Sequence, residues 1–313
     1  MLRAGERARW GIDGIDGLAL GISLGGISTP QEWHRQLAWV ERAEELGLHS
    51  VWLPEMHFAP GACVRPLLAL AGFAARTQRL RLATTSLLLP IHHPQQIADD
   101  VATLDAISGQ RVILGLGRGF RAPLFAGFGI DASSKRDLFD SSFEQILEAW
   151  KGSCPPMAVA AFGRKGLAQA ARHGLPYLAS PIESLDLLDE NLRFHREQLP
   201  PRVDAGALVV PIMRTVHVAS DDAEAKRVVA SLEQEAKRMV LGKVPKALGR
   251  AAAAGVEQRA IIGTAPYVVD QIAHYRRRLG LDLLIARVEV GGARHEEREA
   301  SLTRLVEEVL PAL

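Results

Sequence analysis

The chain of 313 residues is long enough for one large α/β barrel or two smaller domains, and 48% of its residues are hydrophobic. Its formal net charge of +1 argues against nucleic acids and anionic membrane surfaces as partners. Two cysteines, Cys63 and Cys154, cannot build a disulfide framework. The charged start MLRAGERARWGIDGIDG has no apolar core of signal-peptide length, and no apolar run is long enough to cross a bilayer. We therefore expect a soluble, cytoplasmic protein.

Strand and helix patterns alternate along the whole chain. Apolar runs typical of strands buried on both faces are predicted over eight segments. These are 18–24, 49–53, 80–89, 111–116, 157–161, 177–179, 207–218 and 283–290. A helical pattern follows each of them, which predicts an α/β protein with a (β/α)8 TIM-type barrel, a fold whose usual length is about 250 residues. A doubly wound sheet is the alternative, because periodicity alone cannot show that a sheet closes; the count of eight favours the barrel.

The alternation of strands and helices continues along the whole chain and so predicts the domain organisation. We expect one domain over residues 1–313, with a disordered N-terminal tail over 1–16. Thr29, Pro30 and Glu32 have the spacing of a capped helix start, and Gly109 supplies a left-handed stop after the helix over 94–108. Residues 242–256 show no clean period and are a candidate mobile lid.

Glycines and an arginine follow the fourth predicted strand, where ligands gather in parallel α/β proteins. The segment is GLGRG, residues 115–119. It is not a dinucleotide-binding fingerprint, because Phe120 occupies the position of the third glycine. Such glycines fit a flat backbone that a broad ring can approach closely.

Basic residues near these glycines suggest an anion site. Arg118 and Arg136 carry permanent charges in a planar fork that matches phosphate oxygens. The turn FGRKG, residues 162–166, adds backbone N–H groups at a helix start. Together they describe a mononucleotide phosphate site. The alternative interpretation is that Arg136 caps a helix or pairs with Asp140 and that the charges of the turn are solvated.

Four motifs in this order resemble the bacterial luciferase-like monooxygenase family. They are VWLPEMHF at 51–58, LPIHHP at 89–94, LDAISGQR at 104–111 and GLGRG at 115–119. The tail agrees, with IGTAP at 262–266 and VLP at 309–311. Any one motif would be weak evidence, but their order and spacing together are specific. The resemblance covers nearly the whole chain.

The resemblance implies a TIM-type barrel that binds a reduced flavin, commonly FMN. Arg118 and Arg136 match the phosphate-facing arginines of the family. Thr85 and Ser86 match the end of the third strand, where the family often has a non-proline cis peptide under the isoalloxazine ring. Gly163 and Gly166 match the phosphate turn, although luciferases carry hydroxyl residues there, so the contacts would come from backbone N–H groups.

One departure from the family concerns the chemistry. Luciferases carry two histidines after the glutamate of the second strand, and the first of them serves catalysis. This chain has Met56 at that position and keeps His57. The candidate catalytic residues are therefore His57 and Glu55. The alternative interpretation makes His57 a hydrogen-bonded residue at the strand end.

The sequence thus predicts a flavin-dependent monooxygenase that uses reduced FMN and O₂ to oxygenate a small organic substrate. A separate flavin reductase would be its transient partner, and a homodimer through the helices after strands two and three is expected from the family. The alternatives are a deazaflavin-dependent hydride-transfer enzyme on the same fold and a flavin-binding protein without turnover.

Other chemistries are poorly supported by the sequence. His92 and His93 are neighbours whose side chains would diverge in extended backbone, so we expect no metal site. No G-x-S-x-G motif occurs, and neither cysteine has an evident activator.

Overall fold

Parallel strands alternate with helices throughout the computed structural model, which describes residues 3–15, 17–58, 62–63, 65–240, 249 and 254–313. Within these ranges there are nine strands instead of the eight predicted, because the four-residue segment Ala260–Gly263 is also a strand. In chain order the strands are β1 Ala19–Ser23, β2 Ser50–Leu53, β3 Arg81–Leu88, β4 Val112–Gly117, β5 Met157–Ala160, β6 Tyr177–Leu178, β7 Pro211–Val218, β8 Ala260–Gly263 and β9 Leu283–Arg287.

The helices lie between these strands and at both ends of the chain. They are α1 Arg3–Trp10, α2 Pro30–Glu45, α3 Pro66–Ala74, α4 Pro94–Ser108, α5 Ala122–Gly127, α6 Lys135–Trp150, α7 Arg164–Arg172, α8 Leu185–Glu197, α9 Asp222–Val240, α10 Ala265–Leu279 and α11 His295–Arg304. In the part of the chain that the structure describes, no helix is both long and apolar enough to cross a membrane.

The chain divides into two compact units. Residues 24–160 form the middle unit, and residues 1–23 together with 161–313 form the terminal unit. That all of the chain belongs to one domain stays a prediction.

In the middle unit the four strands pair in parallel in the order β5, β4, β3, β2. Val51, Leu82 and Val112 lie in one row across this sheet, and all three are buried. Because parallel strands run in one direction, their carboxyl ends share one edge of the sheet. The segments that follow β2, β3 and β4 therefore begin at the same edge, and these segments carry the candidate site.

The predicted helix boundaries of the middle unit have the expected local causes. The Thr29 hydroxyl accepts the N–H of Glu32 at 3.2 Å, and the Glu32 carboxylate accepts the N–H of Thr29 at 3.1 Å. This reciprocal pair satisfies two N–H groups at the start of α2. Gly109 ends α4 with φ of 71°, as its position predicted.

In the terminal unit β1 pairs with β9, β9 with β7, and β7 with β8, all in parallel. Ala179, directly after β6, forms an isolated bridge with Ile212 of β7. Every residue of β1, β7 and β8 is buried, as expected of strands covered on both faces.

The predicted disordered tail over 1–16 differs from the structure, which has helix α1 at Arg3–Trp10. Trp10 is fully buried, and its indole N–H donates to the carboxylate of Glu6 at 2.9 Å. Arg7 forms an ion pair with Asp282, directly before β9. Glu6 and Arg7 of this segment thus have partners in the structure. Of the candidate lid 242–256, residues 242–248 and 250–253 lie outside the described residues.

Candidate active site

The carboxylate of Glu55, two residues after β2, is the centre of a hydrogen-bonded group in the middle unit. Its side chain is fully buried. Oε1 lies 2.9 Å from Nε2 of His57 and 2.8 Å from Nε2 of His92. Oε2 accepts the backbone N–H of Leu88, the last residue of β3, at 2.7 Å. The two predicted catalytic candidates, Glu55 and His57, are therefore in direct contact, and His92 joins them.

An apolar surface adjoins His57. The imidazole meets the ring of Phe128 edge-on, with centroids 5.0 Å apart. Phe58 has a left-handed backbone with φ of 54°, and its ring lies over Gly127, where an added Cβ would come within 2.4 Å of it. Met56, Phe58 and Phe128 remain 39%, 57% and 38% exposed. Such a surface suits the apolar part of a ligand.

Cys63 packs beside this group and is chemically inert. Its carbonyl accepts the N–H of Met56 at 2.8 Å. Burial, aided by the negative charge of Glu55, raises the pKa of the Cys63 thiol to about 11. A thiol with such a pKa is protonated at neutral pH and is a poor nucleophile. This is consistent with the absence of an activator in the sequence.

Alkylation should therefore discriminate between the two cysteines. At about pH 8 we expect iodoacetamide to modify the partly exposed Cys154 roughly 100-fold faster than Cys63, because only about a thousandth of a thiol with a pKa near 11 is thiolate. Peptide mass spectrometry over a time course measures both rates. A Cys154→Ser variant isolates the slow reaction, and comparable rates in the wild type would show that the burial of Cys63 does not persist in solution.

The strand β3 ends irregularly at Thr85 and Ser86. A cis peptide bond joins these two residues, which confirms the backbone feature that the resemblance implied. Thr85 pairs with Gly115 and Leu87 with Leu116, so Ser86 is an extra residue in the ladder. This bulge re-aims the side chains at the carboxyl end of the strand.

Gly117 accommodates the bulge. A Cβ added to Gly117 would lie 2.1 Å from Oγ of Ser86, so any larger residue would displace that side chain. From the sequence, the glycines of residues 115–119 were interpreted as a flat backbone that a broad ring can approach. The structure shows that Gly117 is already required by the packing of Ser86.

Three cations lie close together after β4 and at the start of α6. Burial, followed by the charge of Arg136, lowers the pKa of Arg118, while Asp140 acts in the opposite direction. Burial and the charges of Arg118 and Arg136 lower the pKa of Lys135. We call Arg118, Lys135 and Arg136 the cation cluster. The cluster also faces the carboxylate of Asp140, and its two guanidinium forks suit phosphate oxygens.

The predicted phosphate turn lies in the terminal unit. Gly163 has φ of 86° and precedes α7, and the N–H of Gly166 donates to the carbonyl of Gly163 at 3.0 Å. The guanidinium of Arg164 lies 3.6 Å from Glu190 and 4.8 Å from the ring centroid of Phe194. The Gly166 amide is thus already hydrogen-bonded. That Gly163 and Gly166 contact a phosphate stays a prediction.

Sequence reasoning missed two members of this site. His92 was considered only as a metal ligand, and the signal that could have placed it is the LPIHHP motif directly after a strand. Lys135 was passed over beside Arg136, although both begin the same helix. Among the residues that the structure describes, no group of three or more His, Cys, Asp or Glu side chains could hold a metal ion.

The candidate site lies at the carboxyl ends of parallel strands, which is where α/β enzymes have their active sites. A sequence model of the luciferase-like monooxygenase family matches residues 18–282, and the chain belongs to this family.

Individual relatives share parts or most of the chain. The limonene 1,2-monooxygenase of Rhodococcus erythropolis is 36% identical over 114 residues, which are 36% of this chain and 30% of that protein. The oxygenase component of the flavin-dependent trigonelline monooxygenase of Acinetobacter baylyi is 24% identical over 86% of this chain and 87% of its own length. The chain covers between 30% and 50% of the lengths of the first curated relatives it matches.

Solved structures share the fold over nearly the whole chain. The oxygenating constituent of 3,6-diketocamphane monooxygenase from Pseudomonas putida, a complex with FMN, matches 95% of this chain and 98% of its own, with a TM-score of 0.79 and 18% identity. At this identity the likeness shows the fold alone.

Proposed function

We propose that this protein is a flavin-dependent monooxygenase that uses reduced FMN and O₂ to oxygenate a small organic substrate. The observation that carries the proposal is the cation cluster, Arg118, Lys135 and Arg136, in which burial and the neighbouring positive charges lower the pKa of Arg118 and of Lys135. A phosphate monoester carries the opposite charge and relieves both penalties. Two of the relatives named above support the choice of a flavin phosphate, because one is a flavin-dependent monooxygenase and the other is a complex with FMN.

The cations of the middle unit fit the phosphate of FMN in charge. The cation cluster would hold the phosphate, and Thr85 and Ser86 would contact the ring at the bulged end of β3. Gly163 and Gly166 are proposed as backbone contributors to phosphate binding. Reduced FMN supplies the oxygen-activating chemistry when it is bound, and the protein binds it, orients it and excludes water.

His57 is the proposed catalytic residue, and Glu55 is proposed to act with it through their direct contact. The Met56 thioether cannot take up or release a proton, whereas the adjacent imidazole can. The exposed surface of Met56, Phe58 and Phe128 beside His57 favours a substrate with an apolar portion.

Electrons would come from a separate reductase. Two of the relatives are an oxygenase component and an oxygenating constituent, which supports a two-component system. We further propose closure of the strands into a (β/α)8 barrel, a cytoplasmic location and a homodimer. Leu68 on α3 and Ile107 on α4 are 75% and 59% exposed, and they are apolar residues that a dimer interface could bury.

The function is tested with reduced flavins under anaerobic conditions. We expect reduced FMN to bind with a micromolar Kd and to be reoxidised by O₂ at a rate that differs from that of free reduced FMN, followed at 450 nm in a stopped-flow instrument. Turnover with limonene or a long-chain aldehyde as probe substrates, in the presence of ¹⁸O₂ and a general flavin reductase, should place one labelled oxygen in the product.

Two results would overturn this proposal. Binding of a reduced deazaflavin with no binding of FMN and no O₂ consumption would favour the hydride-transfer enzyme. Binding of FMN with reoxidation kinetics identical to those of the free flavin would favour a protein that binds flavin without turnover.

A further inference from the structure

The buried carboxylate of Glu55 receives both of its histidine partners through one oxygen. Nε2 of His57 and Nε2 of His92 approach the same Oε1 atom, at 2.9 and 2.8 Å. The other oxygen, Oε2, is engaged by the N–H of Leu88, which can only donate. The carboxylate thus faces donors on both of its oxygens.

This geometry restricts which ring nitrogen of each histidine carries the proton. An ionised carboxylate has no hydrogen to donate, so both Nε2 atoms must donate to it. A protonated Oε1 could donate its single hydrogen to one ring only, and the other ring would still have to donate. In a neutral imidazole, a hydrogen bond that fixes the proton on one nitrogen leaves the lone pair on the other nitrogen.

We propose that Glu55 holds both His57 and His92 in the tautomer protonated at Nε2, so that Nδ1 of His57 carries the lone pair and is the proton acceptor of this site. Only the catalytic use of that acceptor rests on the proposed function; the tautomer itself does not. A proton taken up at Nδ1 gives an imidazolium whose charge is balanced by the Glu55 carboxylate on the opposite side of the ring.

The burial of the three side chains supports this division of roles. The side chain of Glu55 is fully buried, while the two imidazoles keep 9% and 10% exposure. A proton from a ligand or from solvent can therefore reach a ring but not the carboxylate. Glu55 acts through His57 and is a positioning residue.

Rotation of the His57 ring is opposed from two sides. Turning the ring by half a turn would replace Nε2 with a carbon at Oε1 and would leave the buried carboxylate short of a donor. The edge-on contact with Phe128 also holds the ring plane. His92 lies directly after the short 3₁₀ turn Leu89–Ile91 that follows β3, so the Glu55 carboxylate connects the ends of β2 and β3.

Nitrogen-15 NMR of the histidine rings tests the tautomer on the flavin-free protein. Long-range proton–nitrogen spectra distinguish the Nε2–H form, the Nδ1–H form and the imidazolium. The chain has 10 histidines, so His57→Gln and His92→Gln variants assign the signals. We expect the Nε2–H pattern for both rings at a pH at which they are neutral. An Nδ1–H pattern for His57, or an imidazolium pattern that persists under these conditions, would overturn the proposal.

A Glu55→Gln variant tests whether Glu55 sets the tautomers of His57 and His92. Its amide oxygen should stay on the Leu88 N–H, which cannot accept, so the NH₂ group faces the rings and both tautomers should reverse to Nδ1–H. An unchanged pattern in this variant would show that Glu55 does not set the tautomer. The exposed neighbour His93 provides the matched control, because His93→Gln should leave both patterns as in the wild type.

Kinetics separates this inference from the proposed function. In a turnover assay we expect Glu55→Gln to lower kcat about 100-fold with little change in KM, within the usual range for loss of a proton-transfer group. His93→Gln should behave as the wild type. Failure of every monooxygenase assay would leave the NMR result standing, whereas a wrong tautomer would overturn the inference even in an active enzyme.

Discussion

Replacing Arg118 by methionine is expected to weaken the binding of FMN about 100-fold and to leave the binding of riboflavin within about 3-fold. Methionine keeps much of the side-chain volume but removes the partly buried guanidinium. Hydrogen bonds to charged groups contribute about 1.5–3 kcal/mol each, and about 3 kcal/mol corresponds to a factor of roughly 100 in affinity. Flavin fluorescence titration measures both dissociation constants.

Riboflavin and Arg121 supply the controls. Riboflavin has the same ring as FMN but no phosphate, so it reports on the ring site alone. Arg121 is exposed at the start of α5, close to Arg118 in the chain, and Arg121→Met should change neither affinity. Equal losses for FMN and riboflavin would contradict a phosphate role for Arg118 and would indicate general damage to the site.

Replacing Arg111 by methionine is expected to destabilise the protein by about 3–5 kcal/mol, the usual cost of removing a buried charged partner. The guanidinium is buried and makes five hydrogen bonds, to the carbonyls of Ala74, Thr77, Leu80 and Ser108 and to the Thr77 hydroxyl. These bonds use all five of its N–H donors. The variant would leave four carbonyls at the ends of α3 and α4 and the start of β3 without a partner.

Thermal unfolding measures this loss, and we expect the Tm to fall by about 5–15 °C. Arg76→Met is the matched control, because Arg76 is exposed and pairs with Glu41 at the surface, where an ion pair contributes about 0–1 kcal/mol. If Arg111→Met is not obtained in folded form, Arg111→Lys, which keeps the charge but has only three donors, should give an intermediate Tm. Equal Tm values for Arg111→Met and Arg76→Met would contradict this account.

The elements that local chemistry determines were predictable from the sequence. The start of α2 at Thr29 and the end of α4 at Gly109 depend only on neighbouring residues. The apolar strands are buried, as their composition indicates. The strand Ala260–Gly263 was missed because a four-residue apolar run has no measurable period. Helix α1 was missed, and one of its contacts, between Arg7 and Asp282, joins residues far apart in the sequence that no local pattern brings together.

The candidate site shows the same division. Glu55, His57 and Arg118 stand in recognisable motifs directly after strands, so their types and positions pointed to them. The contact of His92 with Glu55 and the role of Gly117 could not be derived, because both depend on side chains brought together from different strands. The contact of His92 with Glu55 joins residues 37 positions apart, and the contact of Gly117 with Ser86 depends on a bulge that periodicity does not reveal.

The pairing of β1 with β9 has a consequence for biosynthesis. Ala19 lies beside Leu283, so the pairing of β1 with β9 can form only after the ribosome has added about 260 further residues. At about 5–20 residues per second, this delay is roughly 13–50 s. The strands of the middle unit all lie within residues 24–160 and can pair with one another during that time. The hydrogen bonds between β1 and β9 are therefore among the contacts that form only near the end of synthesis.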